Sequence, residues 1–249
     1  PYWLPDGSGY IFVTSDPNPS IKSFGVLPLL GKDQSGGYDM SYDIRTLYEG
    51  SGKYDFCTSP VINSTMNVIY CENDGTIIRY DIATNKKINI TLTPTGDYTP
   101  AISPNDRYLC WFHASGKIKM LDIETVEIET VFDVSKGWIE SINASYYVNM
   151  RPRWSKDGNS VITANVKGLV IINPFTKSIK QVTDDGGELG EFSADSNSII
   201  YIASNRAGKY PKYPNKHIRR VSKDGGKSIL VYYKNDADIE SASPSPLPK

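Results

Sequence analysis

Two histidines and three cysteines are the side chains of this sequence best suited to metal binding or covalent chemistry. Cys57, Cys71 and Cys110 show neither a C-x-x-C spacing nor a histidine at a metal-ligand offset, and His113 and His217 stand far apart in the chain. Neither a zinc site nor a disulfide framework follows from this pattern. Because Cys71 and Cys110 fall within apolar runs, we expect both to be small buried hydrophobic side chains rather than redox centres.

Common motifs of catalysis and phosphate binding are absent from the sequence: it has no G-x-S-x-G elbow, no H-E-x-x-H pair, no P-loop and no G-x-G-x-x-G fingerprint. Most aspartates stand in turns, where a carboxylate caps the backbone, and they are not paired for acid–base work. Residues 184–188 come nearest to a calcium loop but fit more simply as a connection between two repeats. We predict no catalytic residue, no metal site and no cofactor, which favours a binding protein over an enzyme.

The composition excludes two further classes of protein. The chain has 27 Lys and Arg against 28 Asp and Glu, a formal net charge of −1, which is unlike the basic surface of a general nucleic-acid binder. No apolar run approaches the length of a membrane span. Because the sequence starts at Pro1 without a leader, we expect a processed chain or a segment of a larger one.

A short turn motif recurs along the chain and organises it. An apolar or aromatic residue precedes a turn rich in Ser, Asp and Gly at residues 3–7, 102–106, 154–158 and 192–196, with a degenerate copy at 62–66. An apolar β-type run follows each copy, and a second turn recurs at Asp81, Asp122 and Asn173. Each unit reads as four antiparallel strands in about 40–50 residues, the pattern of a propeller blade.

We therefore predict an all-β fold, a β-propeller of four-stranded antiparallel blades with five visible repeats in one domain spanning residues 1–249. The blades are expected near residues 1–57, 58–99, 100–150, 151–187 and 188–240. Residues 241–249 form the start of a further strand or a linker. The pattern leaves two arrangements open, a closed five-bladed ring or part of a six- to eight-bladed one. Trp3 and Trp154 occupy the repeated turn position and are expected to pack in the core.

The repeats resemble the WD-like repeats of TolB-type β-propellers. The resemblance rests on the Ser-Pro-Asp-Gly-like turn after an aromatic residue, the β run behind it, Asn205-Arg206 and the Asp-x-x-Thr hairpin, and it covers nearly the whole chain. The second repeat lacks the Pro-Asp-Gly turn, and five repeats are fewer than the family usually has. The resemblance implies a periplasmic, cell-surface or secreted bacterial protein, because such blades occur in periplasmic adaptors and outer-membrane lipoproteins.

Three segments are longer than a blade requires: residues 15–24, 133–150 and 204–216. If strands alternate in direction, turns between the second and third strands share one face with the blade-to-blade connections, so all three segments emerge on that face. They carry the predicted binding residues Trp138, Tyr146, Tyr147, Arg206, Lys209, Tyr210, Lys212 and Tyr213. Aromatic rings beside Arg and Lys suit a protein partner or sugar rings.

The sequence thus predicts a monomeric protein-interaction or ligand-binding module of the cell envelope. Two alternatives stay open. One is a carbohydrate-binding or carbohydrate-processing propeller that uses the same aromatic side chains. The other is the propeller domain of a larger prolyl-peptidase-like enzyme.

Overall fold

The structure, a computed structural model, describes residues 2–4, 9–15, 22–28, 45–50, 57–92, 96–133, 150–165, 167–203 and 216–233. These segments contain twenty β-strands in five four-stranded sheets. The first sheet comprises β1 (Tyr2–Trp3), β2 (Gly9–Ser15), β3 (Lys22–Pro28) and β4 (Arg45–Gly50). The second comprises β5 (Thr58–Ile62), β6 (Val68–Asn73), β7 (Thr76–Asp81) and β8 (Lys86–Asn89).

The third sheet comprises β9 (Asp97–Ile102), β10 (Tyr108–His113), β11 (Lys117–Asp122) and β12 (Glu127–Asp133). The fourth comprises β13 (Arg153–Trp154), β14 (Val161–Asn165), β15 (Gly168–Ile172) and β16 (Ile179–Gln181). The fifth comprises β17 (Glu188–Phe192), β18 (Ser198–Ala203), β19 (His217–Ser222) and β20 (Ile229–Tyr232). Within each sheet the strands lie in chain order, and the described strand pairs are antiparallel. The predicted fold class, all-β with four-stranded antiparallel blades, is confirmed.

The hydrophobic core lies between successive blades. In β10, Leu109 and Trp111 pack with the second blade, whereas Cys110 and Phe112, on the opposite side of the same strand, pack with the fourth. This two-sided burial explains why the run 109–112 is continuously apolar instead of alternating. Each such fully buried large side chain contributes about 1.5–3 kcal/mol of hydrophobic free energy.

Similar clusters join the first blade to the second and the fourth to the fifth. Trp154 packs against the cluster between the third and fourth blades, and its Nε1 donates to the carbonyl of Ala101 at 3.1 Å, so its predicted core role is confirmed. Among the described residues, no core cluster joins the fifth blade to the first. Within the described residues, core clusters thus join each blade to the next in chain order, from the first to the fifth.

The recurrent turn has one geometry in every blade where it is described. The Ser103 hydroxyl accepts the Tyr108 N–H at 2.8 Å and donates to Asn105, and Ser155 and Ser193 make the equivalent bonds. The fourth turn residue adopts a positive φ, with values of 60° at Asp106, 70° at Gly158 and 55° at Ser196. Gly158 and Asp106 suit this position because glycine and aspartate tolerate the left-handed region better than most residues.

The degenerate copy in the second blade keeps this turn with different side chains. The amide oxygen of Asn63 accepts the N–H groups of Asn67 and Val68 at 3.0 and 2.9 Å, and Met66 takes the positive φ of 54°. The turn therefore survives the loss of the Pro-Asp-Gly sequence because another side chain supplies the acceptor.

The Asp-x-x-Thr hairpins are also built as the sequence predicts. Asp81 accepts the N–H and the hydroxyl of Thr84, and Asp122 accepts the N–H groups of the two residues at 124 and 125. Asn173 caps its turn in the same way. The bonds from Thr84 lower the pKa of Asp81, and the Arg107 guanidinium lowers that of Asp122.

The cysteines correct one sequence-based expectation. Cys57 and Cys71 form a disulfide with a Cα–Cα distance of 5.7 Å, although no recognised cysteine pattern predicted one. Cys57 precedes β5, and the fold of the blade brings it beside β6, so the pairing arises from strand register. The Cys110 thiol is completely buried, which raises its pKa and confirms its expected role as a small core residue.

Candidate functional site

One end of the propeller, here called the loop face, carries the turns between second and third strands together with the blade-to-blade connections. The Asp97 N–H, at the start of β9, donates to the carbonyl of Gly75 in the β6–β7 turn at 2.8 Å. The Ala114 N–H, in the β10–β11 turn, donates to Gly96 at 2.7 Å. Between the last two blades, the Gly186 N–H donates to Lys167 at 2.8 Å. Both kinds of connection thus share one face and hold each other.

The predicted binding residues belong to segments that start from this face. Trp138, Tyr146 and Tyr147 fall within 134–149, and Arg206, Lys209, Tyr210, Lys212 and Tyr213 fall within 204–215, all outside the described residues. The strands that flank these segments are described: β12 ends at Asp133, β18 ends at Ala203 and β19 begins at His217. The binding role of these side chains stays a prediction.

A side-chain latch ties each of the last four blades to the segment that leads into it. In every case one partner is the third or fourth residue of the second strand, and these four residues occupy the same register position. The other partner is a residue at or before the start of the first strand. The four latches are the disulfide Cys57–Cys71, Trp111 Nε1 to Asp97 Oδ1 (2.7 Å), Thr163 Oγ1 to the Met150 carbonyl (2.5 Å) and Tyr201 Oη to Asp185 Oδ2 (2.6 Å).

Strand register shows that these latches are equivalent. Trp111 pairs with Lys119 on the third strand, Tyr201 pairs with Arg219, and Cys71 pairs with Ile78. The four latches differ entirely in chemistry. One is a disulfide, and in the other three an indole, a hydroxyl and a phenol donate hydrogen bonds. What is kept is a link between strand two and the connection on the loop face. The latches therefore fix where each described connection lies relative to its blade.

The latch of the third blade contains a buried charge. Asp97 is completely buried, and its Oδ1 lies 3.5 Å from Lys119 Nζ and 4.0 Å from His113 Nε2, in addition to the indole of Trp111. Because a buried carboxylate is costly unless it is paired and hydrogen-bonded, the Trp111 indole N–H and the Lys119 ammonium group stabilise Asp97 inside the blade.

His113 and Ser115 extend this cluster to the surface. The Ser115 hydroxyl lies 2.7 Å from His113 Nδ1, and the Ser115 N–H donates to the same nitrogen at 3.0 Å. Ser, His and Asp are the side-chain types of a hydrolase triad, but here the backbone N–H occupies the Nδ1 lone pair that a nucleophilic serine would need. The arrangement caps the β10–β11 turn.

The residues considered for a calcium loop serve the latch of the fifth blade. Asp185 is buried, accepting the Tyr201 hydroxyl and the Gly187 N–H at 3.1 Å. A Cβ at Gly187 would stand 2.7 Å from the Tyr201 ring, so only glycine lets this ring reach the carboxylate. No group of three or more His, Cys, Asp or Glu side chains in the described segments is placed to hold a metal ion.

The innermost strands carry a β-bulge that the sequence does not reveal. Ser59, Thr99 and Leu189 occupy equivalent positions in β5, β9 and β17, and each has a φ of 50°. The register shifts at these positions, between Thr58 and Val61 and between Glu188 and Glu191 in the second and fifth blades. A bulge re-aims the side chains beside it, and a positive φ at a residue such as leucine persists only where surrounding structure enforces it.

An ion pair joins the innermost strands of the last two blades. Arg153 Nε of β13 lies 2.5 Å from Glu191 Oε1 of β17, and the Arg153 side chain is 12% exposed. Shielding from solvent makes such a pair stronger than an exposed one.

Within the described part of the chain, no helix is long and apolar enough to cross a membrane.

Solved structures with the same architecture include two TolB proteins. TolB from Acinetobacter baumannii matches with a TM-score of 0.66 and 15% identity, over 92% of this chain and 54% of its own. A putative TolB from Agrobacterium tumefaciens matches with a TM-score of 0.67 and 15% identity, over 99% of this chain and 85% of its own. This chain thus spans about half the length of the first and most of the second.

An oligogalacturonate lyase in complex with manganese is also similar, with a TM-score of 0.58 and 14% identity, over 92% of this chain and 63% of its own. No family model and no curated protein matches the sequence. At such low identities the likeness concerns the fold alone, which agrees with the repeats, the sheet order and the turn geometry described above. The chain has a TolB-like β-propeller fold.

Proposed function

We propose that this protein is an interaction module of the bacterial cell envelope that binds a protein partner through its loop face. The observation that carries the proposal is the set of four latches at that face. They hold the connections of four blades in fixed positions, at the face from which the long aromatic segments start. A surface fixed before binding loses less conformational entropy when a partner docks, so more of the contact energy remains as affinity.

Two observations support a location outside the cytoplasm. The Cys57–Cys71 disulfide belongs to an oxidising compartment, because cytosolic reductants keep most thiols reduced in mesophiles. The TolB-like fold is the second, since the resemblance implies periplasmic or surface proteins.

Partner capture with matched variants tests this function. The immobilised protein is incubated with an envelope fraction of the source bacterium, and captured proteins are identified by mass spectrometry. In the test variant, alanine replaces the loop-segment aromatics Trp138, Tyr146, Tyr210 and Tyr213. In the control variant, alanine replaces four exposed isoleucines of the outermost strands, Ile88, Ile128, Ile179 and Ile229. We expect the test variant to lose the partner and the control to keep it. Equal capture by both variants contradicts the proposal.

Carbohydrate binding is the second candidate function. It is supported by the similarity in fold to an oligogalacturonate lyase and by the aromatic and basic residues of the predicted segments, which suit anionic sugars. Oligogalacturonate is the probe: calorimetry measures its binding, and the absorbance of unsaturated products follows its cleavage. Saturable binding that the test variant loses, without protein capture, would favour this candidate over the first.

A further inference from the structure

A cavity of about 270 Å³ lies between the fifth blade and the connection that leads into it. One wall is formed by the connection between β16 and β17, including Thr183, Asp184 and Asp185. The opposite wall is formed by Arg219 of β19 and by Lys227 in the turn before β20. None of these residues is among the predicted loop-segment residues.

The two walls of this cavity carry opposite charges. Asp184 and Asp185 supply carboxylates on one side, and Arg219 and Lys227 supply a guanidinium and an ammonium group on the other. Asp185 and Arg219 are buried, at 3% and 8% exposure, whereas Asp184 and Lys227 are exposed at the mouth. A cavity with buried charges of both signs suits a ligand that itself carries both signs.

The buried groups are held in place by bonds to the blade. Tyr201 Oη and the Gly187 N–H donate to the Asp185 carboxylate at 2.6 and 3.1 Å. Arg219 donates from Nε to the Ser228 hydroxyl at 2.8 Å and from Nη2 to the Ser228 carbonyl at 2.9 Å. Charged groups fixed in this way need no rearrangement to meet a ligand.

The third blade has an equivalent latch but a different arrangement of the cation beside it, so the latch alone does not require the arrangement seen in the fifth blade. Its equivalent residues are Asp97, Trp111 and Lys119, and there the Lys119 Nζ lies 3.5 Å from the Asp97 carboxylate. In the fifth blade the equivalent cation, Arg219, is longer and planar, and it is fastened to the segment before β20. These two bonds hold the Arg219 guanidinium in one orientation at the cavity wall, whereas a Lys ammonium on its flexible stem has no such fixed plane.

We propose that this cavity binds a small zwitterion of the size of a free amino acid, with its ammonium group at Asp184 and Asp185 and its carboxylate at Arg219 and Lys227. The volume holds roughly nine water molecules, which is room for an amino acid and a few waters but not for a drug-sized ligand. The site uses none of the predicted loop-segment residues, so amino-acid binding and partner binding can be measured separately.

Calorimetry of the whole chain with separate probes tests the charge requirement. The probes are the common free amino acids, propionate as the acid alone and ethylamine as the amine alone. We expect at least one amino acid to bind saturably, and propionate and ethylamine to bind at least about tenfold more weakly, since each lacks one charge contact. Binding of propionate as tight as that of the best amino acid overturns the proposal, as does the absence of binding by any amino acid.

Substitutions at the exposed mouth locate the site without disturbing buried groups. Asp184→Asn and Lys227→Gln are each expected to weaken amino-acid binding about tenfold. Lys223→Gln, an exposed lysine in the same turn that does not line the cavity, is the control and is expected to leave the affinity unchanged. Affinities that are unchanged in both mouth variants, or equally weakened in the control, overturn the assignment.

Discussion

The Cys57–Cys71 disulfide makes the most quantitative prediction. The bond closes a loop with a sequence separation of 14 residues. On the chain-entropy account, a closed loop of about 15 residues destabilises the unfolded state by about 3 kcal/mol. For a chain of this length that free energy corresponds to about 6–12 °C in the melting temperature. Breaking the bond should also release the second blade's latch on the loop face.

Denaturation with and without reductant measures this contribution. The wild-type protein should lose about 3 kcal/mol of unfolding free energy on reduction. A Cys57→Ala/Cys71→Ala variant should show no response to reductant, whereas Cys110→Ala, which keeps the bond, should respond like the wild type. Thiol titration of the unreduced, denatured wild type should give one thiol, from Cys110. Three thiols, or a wild-type stability indifferent to reductant, would refute the reasoning.

Three further predictions concern the latch, a glycine and an acidic turn. Trp111→Phe removes the indole donor from buried Asp97 and should cost about 1–3 kcal/mol in urea denaturation; a change below about 0.5 kcal/mol contradicts this. Gly168→Ala places a Cβ 2.8 Å from a carbonyl oxygen and should lower the melting temperature more than Gly226→Ala, whose Cβ meets nothing; equal losses would be inconsistent. Hydrogen bonds from its turn lower the pKa of Asp195 from 3.8 to about 2, so its stabilisation is complete above that range and is lost as the pH falls from about 4 towards 2. Asp195→Asn should flatten this acid-induced fall in melting temperature, and an unchanged pH profile would argue against it.

Much of the fold was predictable because its signals are local. The turn at residues 102–106 needs a hydroxyl acceptor and a residue that tolerates positive φ, and both requirements leave a visible pattern. The two-sided burial of β10 likewise appears as a continuous apolar run. Even the second blade, where the pattern fades, keeps the turn because Asn63 replaces the serine.

The latches were missed because they depend on strand register. Cys57–Cys71 and Asp97–Trp111 both have a separation of 14 residues, and aligning the second and third repeats on their turn residues Asn63 and Ser103 superposes the two pairs. The bulge at Leu189 left no such signal, because leucine gives no hint of a positive φ and tertiary packing alone enforces it. The predicted binding residues lie in segments outside the described residues, so their placement rests on topology.

Site-specific photo-crosslinking tests the central claim, that the loop face binds a protein partner. A photoreactive residue is placed at Tyr210 or Tyr146 in the predicted segments, and at Ile128 on an outermost strand as the control. The account predicts that the same envelope protein is crosslinked from Tyr210 and from Tyr146 but not from Ile128. Crosslinks to that protein from Ile128 alone, or from all three positions equally, would contradict the loop face as the binding surface.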